Sequence, residues 1–384
     1  MRRTGTYTPS TALGEAVQAF VPLPLPPSDP VLAPDCFAAG NHAAELALAR
    51  LSGVSGLVPS MDWLLYSAVR KEALLTSQIE GTQATLIDLF DEEAGFAIGN
   101  TDDVEEVTNY LRAFRLVQDN LRDPAGLPIS VRLLCEAHRL LLNGARGNGK
   151  QPGELRRSQN WIGGTRPGNA TFVPPPAERV ADLLADVERF IHDDSVATPA
   201  LPPLVKIALV HAQFETIHPF LDGNGRIGRL LIAALMEHWR LLPEPLMYLS
   251  GYLKQHQSAY YRQLSAIRTQ GDWEGWVSFF LEGVADAASE AERGIVAIAS
   301  LIAADRRRLL ASPKAGPASY RLFEALPMMP RFTVELARQA LNTSFPTANA
   351  AVKLLEDLGI VCELTGQKKN RSYSYQAYIK LMAH

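Results

Sequence analysis

His218-Pro219-Phe220-Leu221-Asp222-Gly223-Asn224-Gly225-Arg226-Ile227-Gly228-Arg229 is the stretch around which the rest of the chain is organised. Leu204 to Ile217 runs into it and Arg226 to Leu242 runs out of it, each with apolar residues at helical spacing. The stretch therefore reads as a tight loop between two helices. Pro219 disfavours helical geometry at His218 and ends the first helix there. Gly223, Asn224 and Gly225 can reach positive φ and lay successive backbone N–H groups in a concave nest. That nest sits at the start of the second helix, where free N–H groups and the dipole favour an anion. Arg226 and Arg229 are three apart and share one helical face. Beside them stand His218, a base of near-neutral pKa, and Asp222, a carboxylate able to hold Mg²⁺. Together these groups suit a polyphosphate substrate.

At every fixed position the string resembles the Fic-domain signature, H-P-F-x-D-G-N-G-R-x-x-R. The resemblance implies an enzyme that moves AMP from ATP to a hydroxyl side chain of a protein. A phosphate-transferring branch carries Lys where this chain has Gly225, and a phosphocholine branch carries Ala where it has Gly223, so AMP transfer is the expected chemistry. By the same resemblance His218 is the general base and Asp222 holds Mg²⁺. Gly223, Asn224, Gly225, Arg226, Ile227, Gly228 and Arg229 bind the nucleotide. Tyr260, in the pair Tyr260-Tyr261, is matched to the aromatic that covers adenine or ribose, with a core tyrosine as the alternative.

Upstream, an element opening at Ser60 and stopping at Gly81 ends Thr76-Ser77-Gln78-Ile79-Glu80-Gly81. A carboxylate at a helix C-terminus is disfavoured by the dipole and calls for a cationic partner. The segment resembles the family's inhibitory motif, [S/T]-x-x-x-E-[G/N]. That resemblance implies that Glu80 reaches Arg229 and takes the place Arg229 would give to the γ-phosphate. Trp161-Ile162-Gly163-Gly164 and Thr171-Phe172-Val173 are short β-prone runs around the turn cluster Arg166-Pro167-Gly168-Asn169. With Gly153-x-Leu155-Arg156, they resemble the Fic flap, a hairpin edge onto which a target segment adds as a strand, Ile162 and Gly163 being the matched positions.

Composition sets wide bounds. The 384 residues are 47% hydrophobic and 20% charged with a formal charge of −4, which advertises neither a nucleic-acid nor a membrane partner for the whole chain. Cys36, Cys135 and Cys362 are too scattered for a disulfide framework or a zinc spacing, so a reducing cytoplasmic setting is expected. No apolar run follows Arg2-Arg3 as in a signal peptide, and none reaches the ~18 residues of a membrane span.

The expected fold is mainly α: a Fic helical core with a small β-hairpin flap, then a small α+β winged-helix-like domain. The expected division is 1–100, an extended Pro-rich arm and the inhibitory-helix region; 101–312, the catalytic core and following helices; and 313–384, the last domain. In the core, helices are expected over 101–122, 127–142, 177–192, 252–268 and 273–300, the last followed by 301–310. Gly144 to Gln151 nearly fits a P-loop, but it follows a helix and has Gln151 where the metal-binding hydroxyl belongs, so it reads as a linker. In 313–384, helices over 320–326, 333–341 and 347–358 precede strands over 360–364 and 372–378. This segment carries nine Lys/Arg against five Asp/Glu, +4, leaving −8 for the rest. Its third helix nevertheless carries only Lys353 beside Glu356 and Asp357, so a protein-contact or homodimer role stands beside DNA binding.

Overall fold

The computed structural model describes residues 2–144, 149–193, 201–242, 244–367 and 369–383. The chain opens with an antiparallel hairpin, β1 (Gly5–Ala12) and β2 (Glu15–Pro22), in register from Gly5↔Pro22 to Ala12↔Glu15. This corrects the extended arm. Leu13 and Gly14 both take positive φ, the geometry that lets a two-residue turn match strand twist. Pro9 obscures the alternation in the sequence, but a two-stranded ribbon has outward-facing positions that need no N–H.

Ahead of α7 the described residues form α1 (Ala38–Val54), α2 (Met61–Ile79), α3 (Leu86–Glu93), α4 (Thr101–Arg122), α5 (Val131–Leu141) and α6 (Val180–His192). Asn100 and Ser130 accept the N-terminal amides of α4 and α5, as good N-caps do, whereas Ser60 sits at the α2 cap without such a bond. Gly81, at φ +105°, turns the chain out of α2.

α7 (Pro203–Ile217) is buried on every face, from Leu204 through Ile217. An apolar helix with no polar side has to sit at the centre, and α6, α8 and α11 surround it. α8 spans Asn224–His238, starting two residues earlier and stopping four earlier than the sequence spacing suggests. α9 (Ser250–Gln255) and α10 (Gln257–Gln270) divide what reads as one element. Conversely, 273–300 and 301–310 are one 39-residue helix, α11 (Trp273–Ala311), because no Gly-Pro break interrupts its apolar stripe. α11 packs along α1 and also touches α7, α9 and α10.

The remainder is α12 (Pro317–Ala325), β3 (Arg331–Thr333), α13 (Val334–Leu341), α14 (Phe345–Asp357), β4 (Cys362–Glu363), β5 (Ser372–Ser374) and α15 (Gln376–Ala383). The antiparallel sheet runs β3-β5-β4. α12 to α14 with this small sheet are consistent with a winged-helix-like arrangement, α15 following it. The expected strand over 372–378 stops at Ser374: Tyr375 and Tyr378 instead stack at 5.5 Å at the start of α15. Tyr375 donates to Asp305 of α11 at 2.7 Å, and Arg331 forks onto Asp91 of α3 at 2.7 and 2.8 Å, so this region is tied to the helices before it. Among the described residues no helix is long and apolar enough to cross a membrane.

Candidate active site

The site is the turn between α7 and α8. His218 closes α7 in the left-handed region, φ 51° and ψ 63°, with its N–H on the Phe214 carbonyl at 2.9 Å. A non-glycine residue persists there only where its surroundings over-determine it. Arg156 supplies much of that. Only 2% exposed, it donates to the carbonyls of His218 (2.9 Å), Pro175 (2.6 Å), Ser158 (3.2 Å) and Ile217 (3.3 Å). Its own N–H reaches the Pro219 carbonyl at 2.9 Å. One guanidinium thus pins the α7–α8 turn to the stretches at Ser158 and Pro175.

His138 of α5 holds the other side. Its ring stacks on Phe220 at 3.8 Å. Gly153 donates to its Nδ1 at 2.9 Å and its Nε2 lies 3.0 Å from the Asp222 carbonyl. With Nδ1 accepting, Nε2 carries the proton, and burial pulls the pKa down to about 4, which keeps this ring neutral.

Gly223 takes φ 77°, whereas Asn224 and Gly225 are already helical, so one residue and not three supplies the positive φ. The amides of Asn224, Gly225 and Arg226 are the first-turn donors of α8, which have no partner inside the helix. Asn224 has a further task. Its Oδ1 accepts from Phe220 N at 2.8 Å and its Nδ2 donates to Phe220 O at 2.9 Å. Both side-chain atoms thereby help shape the loop. Gly225 is small because the Glu80 carboxylate lies against it: an added Cβ would run into Glu80 Oε1.

The two arginines differ. Arg226 is buried, ion-paired with Glu106 of α4 and 3.4 Å from Asp222 Oδ1. Arg229 donates from Nε to Thr76 Oγ1 at 2.6 Å and from Nη2 to Thr76 O at 2.9 Å and Glu80 Oε1 at 2.6 Å. Burial pushes the Glu80 carboxyl up, but the charge and hydrogen bond of Arg229, aided by Arg226 and His218, outweigh it and hold the pKa below the usual value. Burial lowers the His218 pKa to about 4, Arg156 adding to the drop and the Glu215 backbone opposing it. The ring is neutral at pH 7. Ile227 and Gly228 are buried in α8, and Gly228 O faces His211 Nδ1 at 3.1 Å.

Asp222 is half exposed, accepts from Gly223 N at 2.6 Å and has Lys150 Nζ 3.8 Å from Oδ2. Lys150 lies in the stretch read as a linker, of which residues 145–148 are outside the described residues. An acceptor-only carboxylate on the rim of a phosphate cradle fits Mg²⁺, which takes one or two protein carboxylates with substrate phosphates and water.

The structure brings His218, Asp222, the α8 amides, Arg226, Arg229 and Glu80 together. Tyr260 lies near Arg229 but is 1% exposed, with its hydroxyl 2.9 Å from His211 Nε2, so it is packed as a core tyrosine. Its neighbour Tyr261, ring centroids 5.1 Å apart, is exposed. The flap is not a regular hairpin either. Ile162 and Phe172 form one isolated bridge, and Gly163 and Gly164 follow at φ 67° and 72°. A single backbone hydrogen bond ties it to β2, Phe20 N reaching Val173 O at 2.9 Å, while Arg268 covers Phe172 at 3.9 Å. The roles of His138, Glu106 and Arg156 as supports went unread in the sequence. The one signal for His138 is its place on the apolar face of α5 with Leu134, Ala137 and Leu141.

Known proteins resemble the chain in sequence and in fold. The Fic/DOC family N-terminal region matches residues 39–119 and the Fic/DOC family domain matches residues 128–236. Protein adenylyltransferase fic-1 of Caenorhabditis briggsae is 32% identical over 131 residues, 34% of this chain and 24% of that protein. Protein adenylyltransferase Fic of Drosophila erecta is 30% identical over 156 residues, 41% of this chain and 28% of that protein. The chain thus spans about a quarter of the length of these curated relatives. A Fic family protein of Desulfovibrio desulfuricans superposes with a TM-score of 0.58 at 22% identity, covering 90% of this chain and 97% of the other. A Fic-1 fragment of Caenorhabditis elegans does so at 0.55 and 22% identity, covering 68% and 73%. With both family regions in sequence order, and the full signature string at the α7–α8 turn, the chain carries a Fic/DOC family N-terminal region followed by a Fic/DOC family domain.

Proposed function

We propose that the protein transfers AMP from ATP to a Ser, Thr or Tyr hydroxyl of a target protein and of itself, and that Glu80 restrains the reaction. The names of the relatives, protein adenylyltransferase, support the chemistry. The observation that carries the restraint is the 2.6 Å ion pair between Glu80 and Arg229. While Glu80 holds this guanidinium, the γ-phosphate lacks its clamp.

In the released state His218 takes the hydroxyl proton, the oxygen attacks the α-phosphorus in line, and pyrophosphate leaves. The α8 amides and Arg226 stabilise charge on the phosphates as it builds. Asp222 would hold Mg²⁺, whose chemistry is to offset phosphate charge. The target segment would add at the Ile162–Gly163 edge of the flap. Incubation of the protein with ATP and Mg²⁺, followed by mass spectrometry of the chain and of lysate proteins, tests this: AMP adducts are expected on hydroxyl residues. Their absence from every protein, with Glu80→Gly as well as wild type, would refute transfer.

A second reading has its own observation. Glu80 is held ionised and its charge is felt at His218, so it could orient water and remove AMP from the same target. Release of AMP from a modified target by wild type but not by Glu80→Gly would favour this reverse activity.

A further inference from the structure

Arg268 of α10 is a half-buried arginine beside the flap. Its guanidinium lies over the Phe172 ring at 3.9 Å. Among the described residues it makes no hydrogen bond, and no carboxylate oxygen comes within 4.0 Å of it. The buried side-chain atoms without a partner include none of its nitrogens, so those nitrogens are open to solvent. Burial lowers its pKa to about 10, with Glu215, Tyr7 and Tyr260 opposing. Glu215 is itself buried in α7 and forms no ion pair with it. Tyr7 and Phe20 of the β1–β2 hairpin extend the aromatic wall, their rings 5.2 Å apart and Phe20 6.3 Å from Phe172. Aromatic faces hold a guanidinium in place but bring no counter-charge.

We propose that Arg268 is a specificity-determining residue that selects target segments with a glutamate or aspartate close to the modified hydroxyl, the carboxylate forking onto the guanidinium above Phe172. Ile162 and Phe172 exchange backbone hydrogen bonds of 2.8 and 3.1 Å, so their side chains share one face. A target residue added opposite Ile162 projects on that same face, toward Arg268. The Arg268 charge is felt at His218, which places it beside the base as well as the flap. Tyr261, two turns earlier on the same face of α10, is 48% exposed and feels Glu80 and Arg229. This face therefore runs from the Arg229 clamp to the flap, with its free cation at the flap end. The phosphates have Arg226, Arg229 and the α8 amides, whereas a planar fork on the flap matches a carboxylate. The inference rests on AMP transfer to a segment docked at the flap.

The test offers the full-length Glu80→Gly protein short peptides with one central Ser, Thr or Tyr, labelled ATP and Mg²⁺, each flanking position being Glu, Gln or Lys in turn. Glu at one flanking position should raise kcat/KM on the order of tenfold over Gln, the range for hydrogen bonds to charged groups. Lys at that position should fall below Gln. Added to Glu80→Gly, Arg268→Gln should level Glu with Gln and Arg268→Lys should keep part of the preference. Arg268→Glu should turn the preference to Lys, a reversal that loosened packing cannot produce, with ATP affinity unchanged. Fluorescence anisotropy of the same peptides without ATP should give the same order, a readout that needs no turnover. Peptides labelled and bound without preference for Glu at any position, or a preference that survives Arg268→Glu, would overturn the assignment while leaving AMP transfer intact. If neither the peptides nor the protein itself acquires AMP, it is transfer that fails, and the anisotropy order still decides the role of Arg268.

Discussion

Replacing Glu80 by glycine should move stability and activity in opposite directions. In the native site the Arg229 side chain is 2% exposed and that of Glu80 33%. Removing one partner of a fully buried pair costs about 3–5 kcal/mol. Water can reach the Glu80 side, and Arg229 keeps both Thr76 contacts, so a loss of about 1–3 kcal/mol is expected. The activity change follows from geometry. With Glu80 gone, Arg229 can engage the γ-phosphate and bring the α-phosphorus into line with the attacking oxygen. Since ~1 Å of misplacement can cost about 10²-fold, auto-labelling should rise by up to about 10²-fold. Glu80→Asp should raise it less, because a shorter carboxylate can still reach. Glu80→Gly with Arg229→Ala should lose most of the gain. Initial rates of AMP incorporation from labelled ATP, with urea melts of the same three variants and wild type, give both readouts. Labelling by Glu80→Gly within twofold of wild type, or a double variant as active as the single one, would refute the clamp.

His218→Ala should lower AMP transfer by about 10²–10⁴-fold with ATP affinity nearly unchanged. Since burial holds the His218 pKa at about 4, the acid limb of kcat/KM should lie below pH 5, not at the ~6.5 of a free imidazole; a limb near 6.5 would contradict the geometry. Arg156→Lys keeps the charge but cannot span four carbonyls, so it should cost about 2–4 kcal/mol in urea unfolding and slow transfer through the loosened His218 turn; wild-type stability would rule out the latch. Glu215 is buried, and burial raises its pKa from 4.5 to about 7, with Arg229 opposing. A raised carboxyl contributes stability below its unfolded pKa and loses it as pH rises through 7. Glu215→Gln should therefore gain about 1–3 kcal/mol on wild type between pH 4 and pH 8 in urea melts; a difference independent of pH would remove Glu215 as the cause. The full chain titrated with duplex DNA should bind weakly, because α14 sets Lys353 beside Glu356 and Asp357; tight, sequence-selective and steeply salt-dependent binding would overturn that.

How much was legible depended on range. The α7–α8 turn, the end of α2 at Glu80 and the span of α4 are written in neighbouring residues: a proline after His218, a glycine after Glu80, an apolar stripe at helical spacing. Local sterics and hydrogen bonding decide such features within a few positions, so the sequence by itself determined them. The β1–β2 hairpin, the unbroken α11 and the early end of β5 were misread because their alternatives are close in local energy and are settled by what packs on them. Residues distant in sequence decided the rest. Arg156 reaches His218 across 62 residues and Arg229 reaches Thr76 across 153. Tyr260 and Tyr261 are adjacent in the chain, yet the packing of α10 beside His211 buries one and exposes the other. No pattern along the chain separates them, because solvent access is a property of the assembled core.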